Sequence, residues 1–245
     1  MRDWLNAIAR AASDLSPDEA RDLEERGFVV LPGPVGPEQM ERLSGAYDAA
    51  VASATVDEVK TGSTTTRVSD FVNRGADFDV LYIFPPLLAA SLRVIGRPFK
   101  LSSLHARTLR PRSAAQGLHV DVRRHSRDWP LVGFILMIDA FRPDNGATRF
   151  VPGSHLRLNG PENTGSDRQS DQDGHVLACG PAGSLVVFNG SAWHEHSANG
   201  SDTPRRSIQG AFIPRDGHSA TDFAARMQAE TRARLSPLAR YVLAV

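Results

Sequence analysis

Several features that mark particular protein classes are scarce in this sequence. Its 245 residues include a single cysteine, Cys179, which excludes a disulfide framework and a cysteine-rich zinc site within one chain. The 28 basic residues are balanced by 28 acidic ones, so the formal net charge is 0. Nucleic acids and anionic membranes both recruit a basic excess. We therefore expect neither nucleic acid nor a membrane as the main partner.

Long hydrophobic runs are also missing. The longest strongly apolar stretch, residues 131–141, is interrupted by Gly133 and Asp139 and is shorter than the ~20 apolar residues of a membrane span. Residues 1–15 lack the apolar block of ~7–15 residues found in signal peptides. Apolar and charged fractions of 41% and 23% are typical of globular proteins. We expect a cytoplasmic protein with a small-molecule substrate, and the composition does not indicate an oligomeric state.

The spacing of turn signals divides the chain into three parts. A helical N-terminal third covers about residues 1–99, and a β-rich core covers about residues 100–215. Within that core, short runs of β-forming residues are separated by turns such as Pro152-Gly153-Ser154, which favours a sandwich or barrel over a parallel sheet. A C-terminal helix is predicted at about residues 219–235. No linker interrupts the chain, so we expect a single domain over residues 1–245.

The N-terminal third also gives local predictions. Ser16 and Glu19 have the spacing of a capping box and predict a helix start. A short strand at 28–31 and a helix at about 37–54 follow from the apolar pattern. Residues 57–77 are polar and rich in threonine and serine, and we predict a loop there.

A histidine and an aspartate in the β-rich core have the spacing of metal ligands. His119 and Asp121 are two residues apart, so in a strand at 117–122 their side chains would project from the same face. A second histidine would complete the two-histidine, one-carboxylate set of non-heme Fe(II) oxygenases. His194, which follows a predicted strand at 184–189, is the best candidate. Taken singly, each residue is explained equally by a surface pair or a packed core histidine.

An arginine near the end of the β-rich core adds a second feature. Arg205 comes 11 residues after His194 (205 − 194), at the start of a predicted strand at 207–213. A buried arginine can hold a carboxylate through two parallel hydrogen bonds. The alternative is that Arg205 and Arg206 form a solvated strand edge, and for Arg206 we prefer that interpretation.

These residues belong to a longer series of motifs that resembles a known family. Gln116-Gly117-Leu118-His119-Val120-Asp121 surrounds the predicted ligand pair, and Asn145-Gly146 is followed by Pro152-Gly153-Ser154-His155. The motifs span nearly the whole chain and occur in the order that is typical of one family. By these motifs, the sequence resembles the phytanoyl-CoA dioxygenase-like family of Fe(II)/2-oxoglutarate oxygenases. The remaining matching segments are residues 23–31, 182–188, 193–194, 199 and 205–207.

The resemblance implies a fold and a reaction. The fold would be mainly β with flanking α-helices, a double-stranded β-helix, which is a jelly-roll, cupin-like barrel with iron at its open end. His119, Asp121 and His194 would bind Fe(II), and Arg205 would bind the far carboxylate of the cosubstrate 2-oxoglutarate. With O₂, such an enzyme oxidises, and usually hydroxylates, a C–H bond of a small metabolite, for example in natural-product tailoring.

Further candidate residues surround this site. Thr108 and Thr148 are predicted to face the barrel interior and to bind 2-oxoglutarate, although a core threonine is an equal interpretation. His196 occupies the position of a serine that often contacts the cosubstrate in the family, so it is either a substitute contact or a rival metal ligand. Three more candidates for substrate or cosubstrate contacts are Gln116, Trp193 and Arg123.

Two other functional classes fit the same barrel. A cupin-like isomerase or hydrolase that uses zinc or manganese would employ the same ligand types but would not need Arg205. A non-catalytic binding protein with a degenerate site is the other alternative.

Overall fold

The computed structural model describes residues 8, 15–123, 130–157 and 174–245. Helices and strands alternate irregularly along these residues, with most helices at the two ends. The helices are α1 (Pro17–Glu25), α2 (Pro37–Ala52), α3 (Asp79–Tyr82), α4 (Pro85–Ile95), α5 (Phe223–Arg226), α6 (Ala229–Arg234) and α7 (Pro237–Leu243). The strands are β1 (Phe28–Pro32), β2 (Val59–Thr61), β3 (Thr65–Val68), β4 (Phe99–Leu109), β5 (Val132–Met137), β6 (Thr148–Phe150), β7 (Val176–Ala178), β8 (Ser184–Asn189), β9 (His194–His196) and β10 (Arg205–Pro214).

The described strands form two antiparallel sheets. The large sheet has the order β1-β8-β5-β10-β4-β3-β2, and the small sheet has the order β7-β6-β9. From β1 to β4 the neighbouring strands in the large sheet are distant in sequence, as expected for a jelly roll. The architecture confirms the predicted mainly β fold with flanking helices.

Two apolar cores lie on opposite faces of the large sheet. The helices cover one face, where Leu87 and Leu88 of α4 and Tyr47 of α2 are almost fully buried. The second core lies on the other face and includes Phe28, Phe150 of the small sheet, and Phe188. Covering a sheet on both faces buries every residue of its central strands. This accounts for β5 and β8, in which all six residues are buried.

Local signals in the sequence account for the first helices. The Ser16 hydroxyl accepts a hydrogen bond from the Glu19 amide at 3.2 Å, and the Glu19 carboxylate accepts one from the Ser16 amide at 2.7 Å. This capping box satisfies two amides at the start of α1, as predicted. The predicted helix at 37–54 corresponds to α2, and the predicted strand at 28–31 corresponds to β1.

Two segments differ from the predictions. The stretch at 57–77, predicted as a loop, contains the β2–β3 hairpin, because Thr65 and Thr66 favour extended backbone and pair with Leu109 and Thr108 of β4. The single C-terminal helix is divided into α5 and α6. Met227 has an extended backbone there, with ψ of 114°, and the Gln228 amide is held by the Asn73 side chain at 3.2 Å.

Among the described residues, one stretch is long and apolar enough in composition to cross a membrane. It is Ala76–Ile95, with a mean hydropathy of 1.6. This stretch is not one continuous helix, because Phe84, between α3 and α4, has an extended backbone. Its α4 portion packs into the core on the helix-covered face of the large sheet. These contacts are those of a core helix.

Candidate metal centre

The segment with the predicted His-x-Asp ligands runs alongside β9. The predicted strand at 117–122 is reduced to an isolated bridge between His119 and His194, in which each amide donates to the other's carbonyl, at 3.0 and 2.9 Å. The Asp121 amide donates to the Gly190 carbonyl at 2.9 Å. These three bonds hold the segment extended along the end of the small sheet.

The structure brings His119, Asp121 and His194 together. One ligand atom from each residue lies within 4.8 Å of the others, and Asp121 Oδ1 is 3.8 Å from His194 Nε2. The two imidazole rings have centroids 4.4 Å apart. The residues are separated by up to 75 positions in the chain (194 − 119), so only the pairing of the segment with β9 places them at one point.

Both imidazoles are oriented for coordination through Nε2. His119 Nδ1 lies 3.0 Å from the Gly117 carbonyl, and His194 Nδ1 lies 2.9 Å from the Ala192 carbonyl. A ring whose Nδ1–H donates to a carbonyl presents its Nε2 lone pair to a metal. Burial, and then the neighbouring His194, lower the pKa of His119, which favours the neutral form that binds metals. This donor set fits Fe(II), which accepts two imidazoles and one carboxylate on one face.

The surroundings of the three side chains differ between the two sides of the cluster. His194 is 7% exposed and packs against Phe188 and Phe150, with ring centroids 4.8 and 5.6 Å away. Asp121 is exposed. The cluster therefore has a dry aromatic wall on the core side and an open side through which small molecules can reach it.

Arg205, the first residue of β10, is an almost completely buried cation. It is 1% exposed, its Nη1 donates to the Gly146 carbonyl at 2.7 Å, and its guanidinium lies 4.0 Å from the centroid of the Phe141 ring. Its Nε is buried without a hydrogen-bond partner, and no described carboxylate forms an ion pair with it. Burial lowers its pKa to about 9, so it remains charged at neutral pH. A buried arginine in this state fits an anionic ligand.

Backbone conformation and packing explain the glycine of the Asn145-Gly146 motif. Gly146 has φ of +83°, and a Cβ at this position would lie 2.2 Å from the Leu109 side chain. Glycine is therefore required both for the left-handed backbone and for the close approach of the Leu109 side chain.

The prediction that Thr108 faces the barrel interior is wrong. Thr108 pairs with Arg206 of β10, whereas Arg205 pairs with Leu109, and opposed residues project from the same face. The Thr108 hydroxyl lies 2.9 Å from the Tyr47 hydroxyl of α2, on the helix side of the sheet. Arg206 shares that face, where it pairs with Asp139 and Asp48 at 2.7 Å each. Thr108 is thus not placed to bind 2-oxoglutarate with Arg205.

Thr148 and His196 lie on the inner face of the small sheet. They form an opposed pair of β6 and β9, next to the pair Phe150 and His194. His196 Nε2 is 3.2 Å from the Thr64 hydroxyl and its Nδ1 is 3.1 Å from the Ser197 carbonyl. Burial lowers the pKa of His196 to about 4. With both ring nitrogens in contact with protein atoms, His196 lies outside the cluster of three ligand atoms.

The remaining candidates are distributed around the site. The Gln116 side-chain oxygen accepts a hydrogen bond from Arg107 at 3.1 Å, and the Gln116 backbone N–H donates to the His196 carbonyl at 3.1 Å. The Arg157 guanidinium lies over the Trp193 ring, 4.9 Å from the ring centroid. Arg123 is exposed at the end of the His119 segment. Their roles as contacts stay predictions.

Arg107 is not among the residues that the sequence predicts for the site. It pairs with Ser207 of β10, whose hydroxyl donates to the Arg107 carbonyl at 3.1 Å. Alternation along β4 puts Arg107 on the face opposite to Thr108. The alternation of side chains along the strand, which we used to place Thr108, also predicts that Arg107 points to the other face. Which of the two faces is the inner one is decided only by the pairing with β10.

Replacing His196 with alanine tests whether it is a rival ligand. We expect the variant to keep its metal and to lose less than about tenfold in 2-oxoglutarate affinity, because His196 has its own partners in Thr64 and Ser197. His194→Ala should lose the metal. Iron content after gel filtration and calorimetric titration with 2-oxoglutarate give the two results. Metal loss from the His196 variant with retention in the His194 variant would reverse the assignment.

Comparisons with known proteins identify the family of this chain. A family model described as phytanoyl-CoA dioxygenase (PhyH) matches residues 23–207. The multifunctional dioxygenase prhA of Penicillium brasilianum is 30% identical over 205 residues, which cover 75% of this chain and 67% of prhA.

Solved structures share the fold. The non-heme alpha-ketoglutarate-dependent carbocyclase SnoK from nogalamycin biosynthesis has a TM-score of 0.67 and 19% identity, covering 92% of this chain and 93% of SnoK. HygX from Streptomyces hygroscopicus, solved with nickel and 2-oxoglutarate, has a TM-score of 0.66 and 15% identity, covering 88% of this chain and 95% of HygX.

The fold expectation is thereby confirmed as a double-stranded β-helix. The family match covers most of the chain, including the His119 segment, β9 and the start of β10, and it agrees with the donor set that the structure assembles. The chain belongs to the phytanoyl-CoA dioxygenase family and is a non-heme dioxygenase that depends on iron and 2-oxoglutarate.

Proposed function

We propose that His119, Asp121 and His194 hold the iron, that Arg205 binds the far carboxylate of 2-oxoglutarate, and that the enzyme hydroxylates a C–H bond of a small metabolite. The observation that supports the assignment best is the convergence of three ligand atoms within 4.8 Å from two distant parts of the chain. Such a site, with Fe(II), 2-oxoglutarate and O₂ bound, oxidises a C–H bond while 2-oxoglutarate becomes succinate and CO₂.

Each residue has a defined task in this proposal. The Gly117 and Ala192 carbonyls orient the two imidazoles, so that both present Nε2 before any ligand arrives. Arg205 neutralises one carboxylate of the cosubstrate and fixes its orientation, which reduces the entropy lost on reaching a reactive geometry. Phe150 and Phe188 keep water away from the buried side of His194, which strengthens charge interactions there.

The class of substrate is inferred from relatives. SnoK comes from nogalamycin biosynthesis, and HygX has been solved with hygromycin B bound. By analogy, we propose that this enzyme tailors a natural product or a similar small metabolite in the cytoplasm. Hydroxylation is the simplest outcome, whereas epimerisation and ring closure use the same site with a different substrate position.

The two alternative classes differ from this proposal in one measurable property. A cupin-like isomerase or hydrolase, or a non-catalytic binding protein, would not consume 2-oxoglutarate, and neither would require the buried Arg205. The dioxygenase family favours 2-oxoglutarate consumption.

The test is succinate formation by the purified protein. Reconstituted with Fe(II), 2-oxoglutarate and O₂, it should form succinate slowly without substrate, and faster with a compound that it oxidises. Asp121→Ala should abolish this turnover, and His218→Ala, which removes an exposed histidine outside the site, should leave it unchanged. Succinate at the level of free iron alone, from a protein that binds iron, would contradict the proposed function.

A further inference from the structure

Three basic side chains lie in register on adjacent strands of the large sheet. Lys60 of β2 is opposed to Arg67 of β3, and Arg67 is opposed to Arg107 of β4. Opposed residues project from the same face, so we call Lys60, Arg67 and Arg107 the basic row. Across two strand spacings, the row spans roughly 10 Å.

The basic row is on the face of the sheet that carries Arg205, where Lys60 and Arg67 are exposed and Arg107 is half-buried. Arg107 is opposed to Ser207, two residues after Arg205 on β10, and residues two apart on a strand share a face. The neighbours on the other face, Val68 and Ala106, are buried in the core under the helices. The row therefore extends on the same side of the sheet as Arg205.

The row ends next to the candidate metal centre. The Arg107 Nη2 donates to the Gln116 side chain at 3.1 Å, and its Nη1 donates to the Gln209 side chain at 3.2 Å. The backbone N–H of Gln116 donates to the carbonyl of His196 on β9. Burial, and then Arg67, lower the pKa of Arg107 to about 10, whereas the carboxylate of Asp121 acts in the opposite direction. Arg107 is therefore within electrostatic range of one of the three proposed ligands.

The basic row has no counter-charge of its own. Among the described residues, no carboxylate forms an ion pair with Lys60, Arg67 or Arg107, in contrast to Arg206 on the opposite face, which has two. The Arg107 Nε is buried without a hydrogen-bond partner, as is Nε2 of the adjacent His105. Like charges directly opposed across a sheet destabilise it, and a half-buried guanidinium without a counter-charge adds a desolvation cost. An anionic ligand would relieve both costs.

We propose that the basic row, together with the side chains of Gln116 and Gln209, binds an oxyanion of the substrate, either a phosphate or a carboxylate, beside the metal centre. This inference rests on the proposed function, because it places the substrate next to Asp121. Iron binding to Asp121 would neutralise the carboxylate that acts on Arg107, and would leave the row free to attract an anion. The side chains of Gln116 and Gln209 hold the Arg107 guanidinium in a fixed orientation, so little side-chain entropy is lost when an anion binds.

The test uses simple probes in place of the unidentified substrate. Phenyl phosphate, benzoate and the neutral benzamide are titrated by calorimetry into nickel-loaded protein saturated with 2-oxoglutarate, so that the Arg205 site is already filled. We expect at least one of the two anions to bind more tightly than benzamide, and the tighter of the two identifies the oxyanion. Equal binding of benzamide and both anions would overturn the proposal.

Variants locate the binding to the row. Arg107→Gln and Arg67→Gln should each weaken binding of the preferred anion by roughly 10- to 100-fold, the ratio that one charge-assisted hydrogen bond supplies. Arg42→Gln makes the same change of charge at an exposed arginine that pairs with Asp77, and it should bind like the wild type. Wild-type affinity in both row variants would overturn the proposal.

Two further measurements exclude other roles for the row. Arg107→Gln should keep its 2-oxoglutarate affinity, and a loss like that expected for Arg205→Ala would assign Arg107 to the cosubstrate instead. The Tm of Arg67→Gln should equal or exceed that of the wild type, because a repulsion is removed; a large decrease would indicate a structural role. Nickel and 2-oxoglutarate binding are measured on the same samples. Their absence would contradict the proposed function, whereas anion binding that is insensitive to the row would contradict only this inference.

Discussion

Replacing Arg205 with alanine is expected to weaken 2-oxoglutarate binding by about 30- to 5,000-fold. Truncating one partner of a buried, hydrogen-bonded charge pair costs about 2–5 kcal/mol, and Arg205 is 1% exposed. Its direct contacts, the Phe141 ring and the Gly146 carbonyl, cannot take over its charge. Arg205→Lys should restore only part of the affinity, because an ammonium cannot present two parallel donors.

Arg206→Ala is the matched control for this prediction. It removes the same charge one residue along β10, from a side chain that pairs with Asp139 and Asp48 on the helix side of the sheet. Its 2-oxoglutarate affinity should stay close to that of the wild type. Affinity is measured by titrating the visible band of the anaerobic Fe(II)–2-oxoglutarate complex. Loss of binding in the Arg206 variant but not in the Arg205 variant would show that the assignment of faces is wrong, and no loss in either would remove Arg205 from the cosubstrate site.

His119→Ala and Asp121→Ala should each abolish iron binding and turnover while leaving the fold intact. Both residues lie in the irregular segment beside β9, and Asp121 is exposed, so little packing is lost with either side chain. Removal of one of three ligands leaves two donors, which is too few for a stable site. His194→Ala is less suitable for this test, since the ring packs between Phe150 and Phe188 and its removal creates a cavity.

The measurement is iron content per protein after gel filtration, together with the thermal unfolding midpoint. His218→Ala serves as the control for loss of an imidazole. Near-native turnover with Fe(II) in either ligand variant would disprove the assignment, and a collapse of the unfolding midpoint would show that the segment is needed for folding rather than for coordination.

The sequence alone determined the elements whose signals are local. The capping box at Ser16 predicted the start of α1, apolar spacing predicted α2, and a run of β-forming residues predicted the strand that is β8. The candidate metal ligands and the proposed role of Arg205 followed from residue chemistry and from the family resemblance, because the motifs around His119 and His194 are short and contiguous. The β2–β3 hairpin escaped prediction, since its polar threonines carry no apolar alternation and it is ordered by pairing with β4.

Only the tertiary structure decided which face of each strand is the inner one. A two-residue period states that Thr108 and Arg107 point in opposite directions, but it does not say which of them points inward. Pairing of Thr108 with Arg206 and of Arg107 with Ser207 settles that question, because those contacts join residues about 100 positions apart. The basic row depends on registers across three strands, and the cluster of three candidate ligands depends on one bridge between His119 and His194. Such long-range pairings are fixed by the packing of the whole barrel, and no local stretch of sequence encodes them.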